Sequence, residues 1–202
     1  MPEPAHRYFV INKPYNMVSQ FVSPDKVGLL GDIDFEFPQG IHAIGRLDNH
    51  SEGLLILTTN KRVTRLLFQG ETPHKRTYLV RVRNLISEES LEKLRTGVNI
   101  VIKDGAEYTT PPCEVELVPR PTNLSEDQKE LRSYAPHSWL TITLKEGKFH
   151  QVRKMVAAVK HPCKRLIRVS IEDLELGDLA PGAVREIEER NFFELLKINN
   201  WE

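Results

Sequence analysis

The sequence predicts an α+β fold in which helices and loops flank a mixed, mostly antiparallel central sheet. Its 202 residues are 40% hydrophobic, which suffices to bury a core in one domain spanning residues 1–202. Strand-like segments outnumber helix-like segments, and the two do not alternate in the regular order that builds a parallel sheet.

Apolar segments bounded by turn-forming residues define the predicted strands. They lie at residues 8–12, 41–47, 53–58, 77–82, 98–103, 113–118, 139–144 and 166–171. Residues 15–40, which are rich in glycine, proline and acidic residues, predict a loop-rich excursion. Residues 119–138 contain three prolines and little apolar content, which predicts an exposed loop or insertion.

Four segments carry helical signals. Asn60 can cap a short helix, and Ser87 can cap a second helix that Gly97 ends. Residues 148–160 predict a third helix, and residues 191–198 predict a closing one. In the third helix four apolar residues fall at positions i, i+3, i+4 and i+7: Val152, Met155, Val156 and Val159.

The charges cancel overall but are distributed unevenly along the chain. Lys and Arg together number 28, as do Asp and Glu, so the formal net charge is zero. Residues 145–168 nevertheless hold eight basic residues against one acidic residue, and residues 60–83 hold seven against one. Such blocks either focus positive potential on a face that binds a polyanion or are solvated surfaces without a partner.

Composition disfavours several function classes. No apolar run approaches the roughly 18 residues of a membrane span, and the N-terminus lacks the apolar core of a signal peptide. Two cysteines are too few for a disulfide framework, and the histidines show no i, i+4 pair. Ser51 lacks the Gly-x-Ser-x-Gly turn of a hydrolase nucleophile. We therefore expect a cytoplasmic protein with neither a membrane nor a metal partner.

The densest cluster of chemistry-bearing residues lies at residues 45–53, which read GRLDNHSEG and precede the buried-strand pattern LLILTT. In an extended segment Arg46 and Asp48 point to the same side. By itself this pattern favours a turn carboxylate that accepts hydrogen bonds from the amides of the residues after Asp48.

The whole pattern, however, resembles the signature of the RsuA-type pseudouridine synthases: Gly-Arg-Leu-Asp, two free positions, Ser, one free position, Gly, four aliphatic residues and Thr-Thr. Further blocks resemble the same family in the expected order. They are FVINKP at 9–14, KRTY at 75–78, EGKFHQVRKM at 146–155, HP at 161–162 with the strand at 166–171, and LGDL with PG at 176–182. The chain resembles the branch without an N-terminal S4-type RNA-binding domain, because its first strand begins at residue 8.

The resemblance implies the pseudouridine synthase fold, with a catalytic cleft across the sheet. It also implies an enzyme that isomerises a uridine in structured RNA without a metal or an organic cofactor. The expected partner is ribosomal RNA, with 23S RNA preferred, and the expected state is a monomer. A tRNA-modifying synthase and a non-catalytic RNA-binding module are the alternatives. Attack at C6, attack at C1′ and a glycal route all remain open.

Three residues form the catalytic set that the resemblance implies. Asp48 corresponds to the catalytic aspartate, which acts in its ionised form as nucleophile or base. Arg153 would pair with Asp48 and offset its burial beneath a flipped base, although the helix phase also fits a solvated cation. Tyr78 would stack on the uracil or move a proton, unless it only packs within its strand.

The resemblance and the basic blocks together predict the RNA contacts. Arg46 would insert where the uridine stood or contact a phosphate. The other predicted RNA-binding residues are Lys75, Arg76, Lys148, His150, Gln151 and Lys154. Two positions depart from the family pattern, with His50 in place of an acid or Asn and Phe149 in place of a polar residue. We expect both departures to alter RNA context rather than chemistry.

Overall fold

The structure is a computed structural model that describes residues 5–68, 70, 72–103, 105–125 and 135–201. The chain divides into two compact units. Unit 1 comprises Met1–His74 and Arg168–Glu202, and unit 2 comprises Lys75–Ile167. Both units combine strands with helices and the strand pairing is mostly antiparallel, which confirms the predicted α+β class. That the chain acts as a single catalytic domain stays a prediction.

The elements of the described residues are numbered here in chain order. The strands are β1 (Tyr8–Lys13), β2 (His42–Ile44), β3 (Glu52–Thr58), β4 (Arg76–Arg83), β5 (Asn99–Val101), β6 (Glu107–Thr109), β7 (Glu114–Val118), β8 (His137–Leu144), β9 (Cys163–Ile171), β10 (Leu174–Glu175) and β11 (Val184–Ile187). The α-helices are α1 (Arg62–Phe68), α2 (Glu88–Thr96), α3 (Gln151–Ala158) and α4 (Glu189–Leu195). None of the helices described is long and apolar enough to span a membrane.

Unit 1 is built around β1, which pairs antiparallel with β3 and with β11. Every residue of β1 and β3 is buried, as expected for strands that lie inside a sheet with both faces covered. The Tyr8 ring packs against Phe192 of α4, with 4.6 Å between the ring centroids. The register sets Lys13 opposite Gly53, so the C-terminal end of β1 lies beside the N-terminal end of β3.

Unit 2 contains an antiparallel sheet in which β8 pairs with both β4 and β7. Its core combines apolar residues of these strands with those of α2 and α3. The apolar stripe predicted for α3 is buried in this core: Val152, Met155, Val156 and Val159. Ser87 caps α2 as predicted, since its hydroxyl accepts a hydrogen bond from the Ser90 amide at 3.2 Å. Gly97 ends that helix at φ 118°.

Two predicted elements are shorter in the structure because the backbone adopts positive φ angles at their ends. The strand predicted at 41–47 ends at Ile44, since Gly45 has φ 72° and breaks the extended conformation. The helix predicted at 148–160 starts only at Gln151, since His150 has φ 56°. Lys148 and His150 therefore precede α3 and do not lie on it.

Other boundaries also differ from the predictions. The closing helix begins at Glu189, because the Glu188 carboxylate caps it by accepting hydrogen bonds from two backbone amides. In the loop predicted at 119–138, residues 126–134 lie outside the described residues, and the last two residues belong to β8. The short strands β6, β10 and β11 were not predicted.

Candidate active site

Asp48 lies in a tight turn between β2 and β3. The Ser51 amide donates a hydrogen bond to the Asp48 carbonyl oxygen at 2.9 Å, which closes a four-residue turn with Asn49 and His50 at its centre. Asp48 is half-buried and Arg46, two residues earlier, is exposed. Asp48 therefore lies in a loop and not in a strand of the sheet.

Ser19 holds the residue that precedes Asp48. Its hydroxyl donates to the Leu47 carbonyl oxygen at 3.0 Å and accepts from the Leu47 amide at 2.9 Å. Both residues are buried, so these bonds replace the strand partners that the Leu47 backbone lacks after β2 ends. Ser19 was not predicted, because it lies in the irregular segment 15–40 and belongs to no motif.

Lys13 lies beneath the Asp48 turn, at the end of β1, and its side chain is fully buried. Its ammonium donates to the carbonyl oxygens of Pro14 at 2.8 Å and Met17 at 2.6 Å. A longer contact of 3.4 Å reaches the Asn49 carbonyl oxygen, inside the turn of Asp48. One side chain thus connects the loop after β1 with the turn that carries the candidate catalytic residue.

The charge of Lys13 is costly to bury and is partly compensated. Burial lowers the pKa of the Lys13 ammonium to about 8, while the negative charges of Glu52 and Asp48 oppose this shift. Glu52 is itself buried. The Asn-Lys-Pro block was noted in the sequence, but no role was predicted for Lys13. The signal that could have identified it is a lysine that continues an apolar strand.

Tyr78 lies in β4 of unit 2, opposite Ile142 of β8. It is half-buried and packs against the apolar core of that unit. The ring is therefore held by packing on its own strand while part of the residue stays accessible. Packing in the strand and a role in the reaction are compatible at this position.

Arg153 lies in the first turn of α3, offset from the buried stripe as predicted. It is half-buried, and its guanidinium donates to the Cys163 sulfur of β9 at 3.6 Å. Arg153 is therefore ordered against β9, and it is not the fully solvated cation that the helix phase also allowed.

A network of hydrogen bonds shapes the turn before α3. The buried Gln151 side chain accepts from the Lys148 amide at 2.8 Å and donates to the Glu146 carboxylate at 2.6 Å. The Tyr108 hydroxyl donates to the other oxygen of that carboxylate. The Lys148 ammonium lies 5.0 Å from the Tyr108 ring centroid. Both the oxygen and the nitrogen of the Gln151 side-chain amide thus form hydrogen bonds that hold the turn.

An exposed aromatic ring contacts the side chains of His150 and Lys154 at the start of α3. Phe149 is 52% exposed and stacks on His150 with 3.9 Å between ring centroids. The Lys154 ammonium lies 5.1 Å from the Phe149 centroid. Aromatic faces interleaved with basic groups are the usual components of surfaces that bind single-stranded nucleic acid.

The basic residues at the start of β4 have different environments. Lys75 forms a 2.7 Å ion pair with Glu114, and both side chains are largely exposed, so the pair contributes little to stability. Arg76 is buried, and a Cβ atom added at Gly147 would lie 3.6 Å from its guanidinium. This burial favours structural roles for Arg76 and Gln151, whose contribution to RNA binding stays a prediction.

The predicted site residues are divided between the units. Arg46 and Asp48 belong to unit 1, and the others belong to unit 2. The structure brings Asp48 together with Lys13, which was not predicted, and brings Lys154 and His150 together around Phe149. Among the residues that the structure describes, no group of three or more His, Cys, Asp or Glu side chains is placed to hold a metal ion.

Comparisons with known proteins agree on one family. A family model described as RNA pseudouridylate synthase matches residues 7–158. A "Ribosomal large subunit pseudouridine synthase E" from Vibrio parahaemolyticus is 39% identical over 183 residues, which cover 90% of this chain and 74% of that protein. A protein of the same description from Xanthomonas axonopodis pv. citri is 37% identical over 174 residues, covering 85% and 89% respectively.

A solved structure described as "Crystal structure of pseudouridylate synthase" matches the fold. Its TM-score is 0.75 at 25% sequence identity, and the match covers 95% of this chain and 74% of that one. The family model includes the Asp48 turn, Tyr78 and the α3 segment with Arg153. Because the family model spans most of the chain, the chain belongs to the RNA pseudouridylate synthase family. Its members are the isomerases that convert uridine in RNA to pseudouridine.

Proposed function

We propose that this isomerase modifies one uridine of large-subunit ribosomal RNA. Both relatives described above are named for the ribosomal large subunit, and each similarity extends over at least 85% of this chain. The structural observation that carries the proposal is the Asp48 turn, which is held from one side by Ser19 and from beneath by Lys13. A reactive carboxylate is most effective when its backbone is already fixed before the substrate arrives.

The reaction breaks the bond between C1′ and N1 of the uridine and joins C1′ to C5 of the same uracil. The C5 proton is lost and N1 gains a proton, so the RNA keeps its composition. We propose that Asp48 acts on a uridine that has been flipped out of its stack, because a side chain cannot reach the sugar of a stacked, paired nucleotide. Whether Asp48 acts as nucleophile or as base is left to experiment.

The roles of Tyr78 and Arg153 follow from their chemistry. A tyrosine ring can stack on the flipped uracil, and its hydroxyl can carry a proton between C5 and solvent. An arginine can offset the negative charge of Asp48 once RNA excludes water from the site. The packing of Tyr78 in β4 and the contact of Arg153 with Cys163 limit how far these side chains move.

The RNA backbone is proposed to contact the basic residues around the start of α3. Lys154 and His150 flank the exposed Phe149 ring, and Lys148 is exposed in the preceding turn. Arg46 is the exposed cation two residues before Asp48. Cations next to exposed rings fit a partner that offers both phosphates and unstacked bases.

Pseudouridine mapping tests the substrate directly. RNA from cells with and without the gene is mapped across ribosomal RNA and tRNA, and one large-subunit uridine should lose its modification in the deletion strain. The wild-type gene should restore it, whereas a gene encoding Asp48→Asn should not. A control gene encoding Leu85→Ala, which changes a side chain that is 73% exposed, should restore it fully.

Other mapping results would contradict the proposal. Loss of a pseudouridine only in tRNA would indicate a tRNA synthase. An unchanged pseudouridine map, together with tight RNA binding by the purified protein, would indicate a binding module. The mapped site then defines a short RNA on which the purified protein is assayed.

We further infer that the protein acts in the cytoplasm as a monomer. A ribosomal RNA substrate implies the compartment in which ribosomes are assembled, and all the candidate site residues are supplied by one chain. Light scattering of the purified protein should give a mass near 23.3 kDa, and a stable dimer would contradict the inferred state.

A further inference from the structure

Two turns of unit 1 meet at their tips through the side chains of Tyr15 and His50. The two rings are stacked, with 5.2 Å between their centroids and 22° between their planes. Tyr15 is 45% exposed and His50 is also exposed. Both residues of the pair are therefore accessible to solvent, and His50 lies two residues from Asp48 on the same turn.

The backbone beneath this pair is fixed. Tyr15 lies in a turn that Asn16 completes at φ 62°, a conformation that Asn tolerates better than most residues. The buried Lys13 ammonium donates to the carbonyl oxygens on either side of this turn, those of Pro14 and Met17. It also approaches the Asn49 carbonyl oxygen of the second turn at 3.4 Å. A single buried cation thus contacts the backbone of both turns.

We propose that Tyr15 and His50 form a stacking platform for the RNA base adjacent to the uridine that Asp48 acts on. Every nucleobase has a flat face that can stack on an aromatic side chain. When the target uridine flips out, its neighbour loses a stacking partner, which is part of the cost of flipping. A preformed pair of rings next to Asp48 replaces that partner, and little ordering is required on binding.

The inference rests on the proposed function, since the platform is defined by its position beside the reacting uridine. It assigns part of the RNA affinity to the loop after β1, which is distant from Asp48 in sequence and adjacent to its turn in unit 1. It also gives His50 a direct contact with the RNA. We expect both residues to act on affinity rather than on the chemical step, because Asp48 is held by Lys13 and Ser19.

Substitutions at Tyr15 separate stacking from support of the turn. Affinity for the mapped RNA is measured by fluorescence anisotropy, and turnover is measured at saturating RNA. Tyr15→Leu removes the aromatic face and should weaken binding about 5- to 100-fold, while turnover at saturation stays within about threefold. Tyr15→Phe keeps the ring and should bind like the wild type. Leu85→Ala, a change at an exposed apolar position in unit 2, should alter neither quantity.

An abasic scan then identifies the stacked base. The same RNA is made with an abasic nucleotide at each of the positions that flank the target uridine, one position at a time. At one of these positions the wild type and Tyr15→Leu should bind equally, because the base that Tyr15 contacts is gone. At the other positions the difference between the two proteins should persist. His50→Ala should lose its effect at that same position.

Three results would overturn the inference. These are an unchanged affinity in Tyr15→Leu, a loss of affinity that no abasic position removes, and a loss of saturated turnover with unchanged affinity. The last result would mean that Tyr15 only supports the Asp48 turn. Failure of the proposed function is recognised separately, because the wild-type protein would then form no pseudouridine in the same RNA.

Discussion

Asp48 is the residue of its turn that is proposed to take part in the chemistry, whereas other residues hold the turn. Asp48 is half-buried and carries the proposed chemistry, whereas Ser19 and Lys13 donate hydrogen bonds to backbone carbonyl oxygens of the turn and of the loop beside it. This division allows substitutions to be designed that change one task and spare the other.

Asp48→Asn should abolish isomerisation and leave the fold and the RNA affinity largely unchanged. The amide has nearly the same shape as the carboxylate, but it is neither a nucleophile nor a base. Pseudouridine formation in the mapped RNA is measured in single-turnover assays, and affinity is measured by anisotropy. Activity within tenfold of the wild type would mean that another residue does the chemistry.

Tyr78→Phe should distinguish the two roles proposed for this ring. If the hydroxyl moves a proton, turnover should fall by roughly 10²–10⁴-fold with little change in RNA affinity. If the ring only stacks, Tyr78→Phe should be nearly neutral and Tyr78→Ala should be severely impaired. Full activity in both variants, measured on the same RNA, would remove Tyr78 from the site.

Lys13 should make stability depend on pH in the alkaline range. Its pKa is about 8 in the folded protein and near the ordinary 10.5 in the unfolded chain, so between these values the unfolded chain binds more protons. The free energy of unfolding of the wild type relative to Lys13→Met should therefore rise from pH 8 to pH 10, by about 1–3 kcal/mol. Below about pH 7 the difference should be flat, because Lys13 is then protonated in both states.

Urea unfolding monitored by circular dichroism at several pH values measures this effect. Lys26→Met, which removes an exposed lysine of the same unit, is the matched control and should run parallel to the wild type. A difference between the wild type and Lys13→Met that stays constant up to pH 10 would show that Lys13 titrates at its ordinary pKa.

Helix α3 combines two tasks within one short element. Its buried stripe packs into the core of unit 2, while Arg153 and Lys154 lie outside that stripe. The positive φ of His150 starts the helix late, so Lys148, His150 and Phe149 form a turn whose shape depends on Gln151. The roles proposed for adjacent residues of this helix differ, with Arg153 in the reaction and Lys154 in binding the RNA backbone.

Arg153→Ala and Lys154→Ala should affect different quantities, turnover in the first variant and RNA affinity in the second. Loss of Arg153 should lower turnover even at saturating RNA, by about 10²-fold, because Asp48 would lose the cation that offsets its charge in a desolvated site. Loss of Lys154 should weaken binding to RNA of any sequence and spare turnover at saturation. If Arg153→Ala recovers full turnover at high RNA, Asp48 has another partner, of which Lys13 is the first to test.

At the level of the whole molecule, the net charge is zero although basic and acidic residues are concentrated in different segments of the chain. The eight basic residues of 145–168 belong almost entirely to unit 2, whereas the acidic residues after 172 belong to unit 1. Net charge alone would have argued against a polyanionic partner. Local charge density is the better guide because exposed charges further apart than about 8 Å are largely screened at physiological salt.

RNA binding should therefore depend strongly on salt. The logarithm of the association constant should fall linearly with the logarithm of the salt concentration, and each lost phosphate contact should flatten the slope by about 0.7–0.9. Lys154→Ala and Lys148→Ala should each show this flattening, as measured by anisotropy from low to physiological salt. A slope near zero for the wild type would rule out a phosphate-binding face.

Local patterns accounted for most of the elements. Alternating or apolar runs predicted β1, β3, β4, β7 and β8, and the spacing of Val152 and Met155 predicted the buried face of α3, because these signals repeat within a few residues. The predicted ends of the strand at 41–47 and of the helix at 148–160 were wrong because a positive φ angle, at Gly45 and at His150, decides each boundary. The two-residue strand β10 and the four-residue strand β11 form because a partner strand is present, and no local pattern predicted them.

The resemblance of the motif from Gly45 to Gly53, together with the further blocks along the chain, identified the family and nominated Asp48, because the chemistry requires particular residue types at fixed positions. Burial is different, since it depends on segments that are remote in sequence. The tertiary structure alone showed that Lys13 is buried and reaches the Asn49 carbonyl oxygen, and that the Ser19 hydroxyl bonds to the Leu47 backbone. It also showed that Gln151 is buried. These contacts join residues up to 36 positions apart, and the fold brings them together.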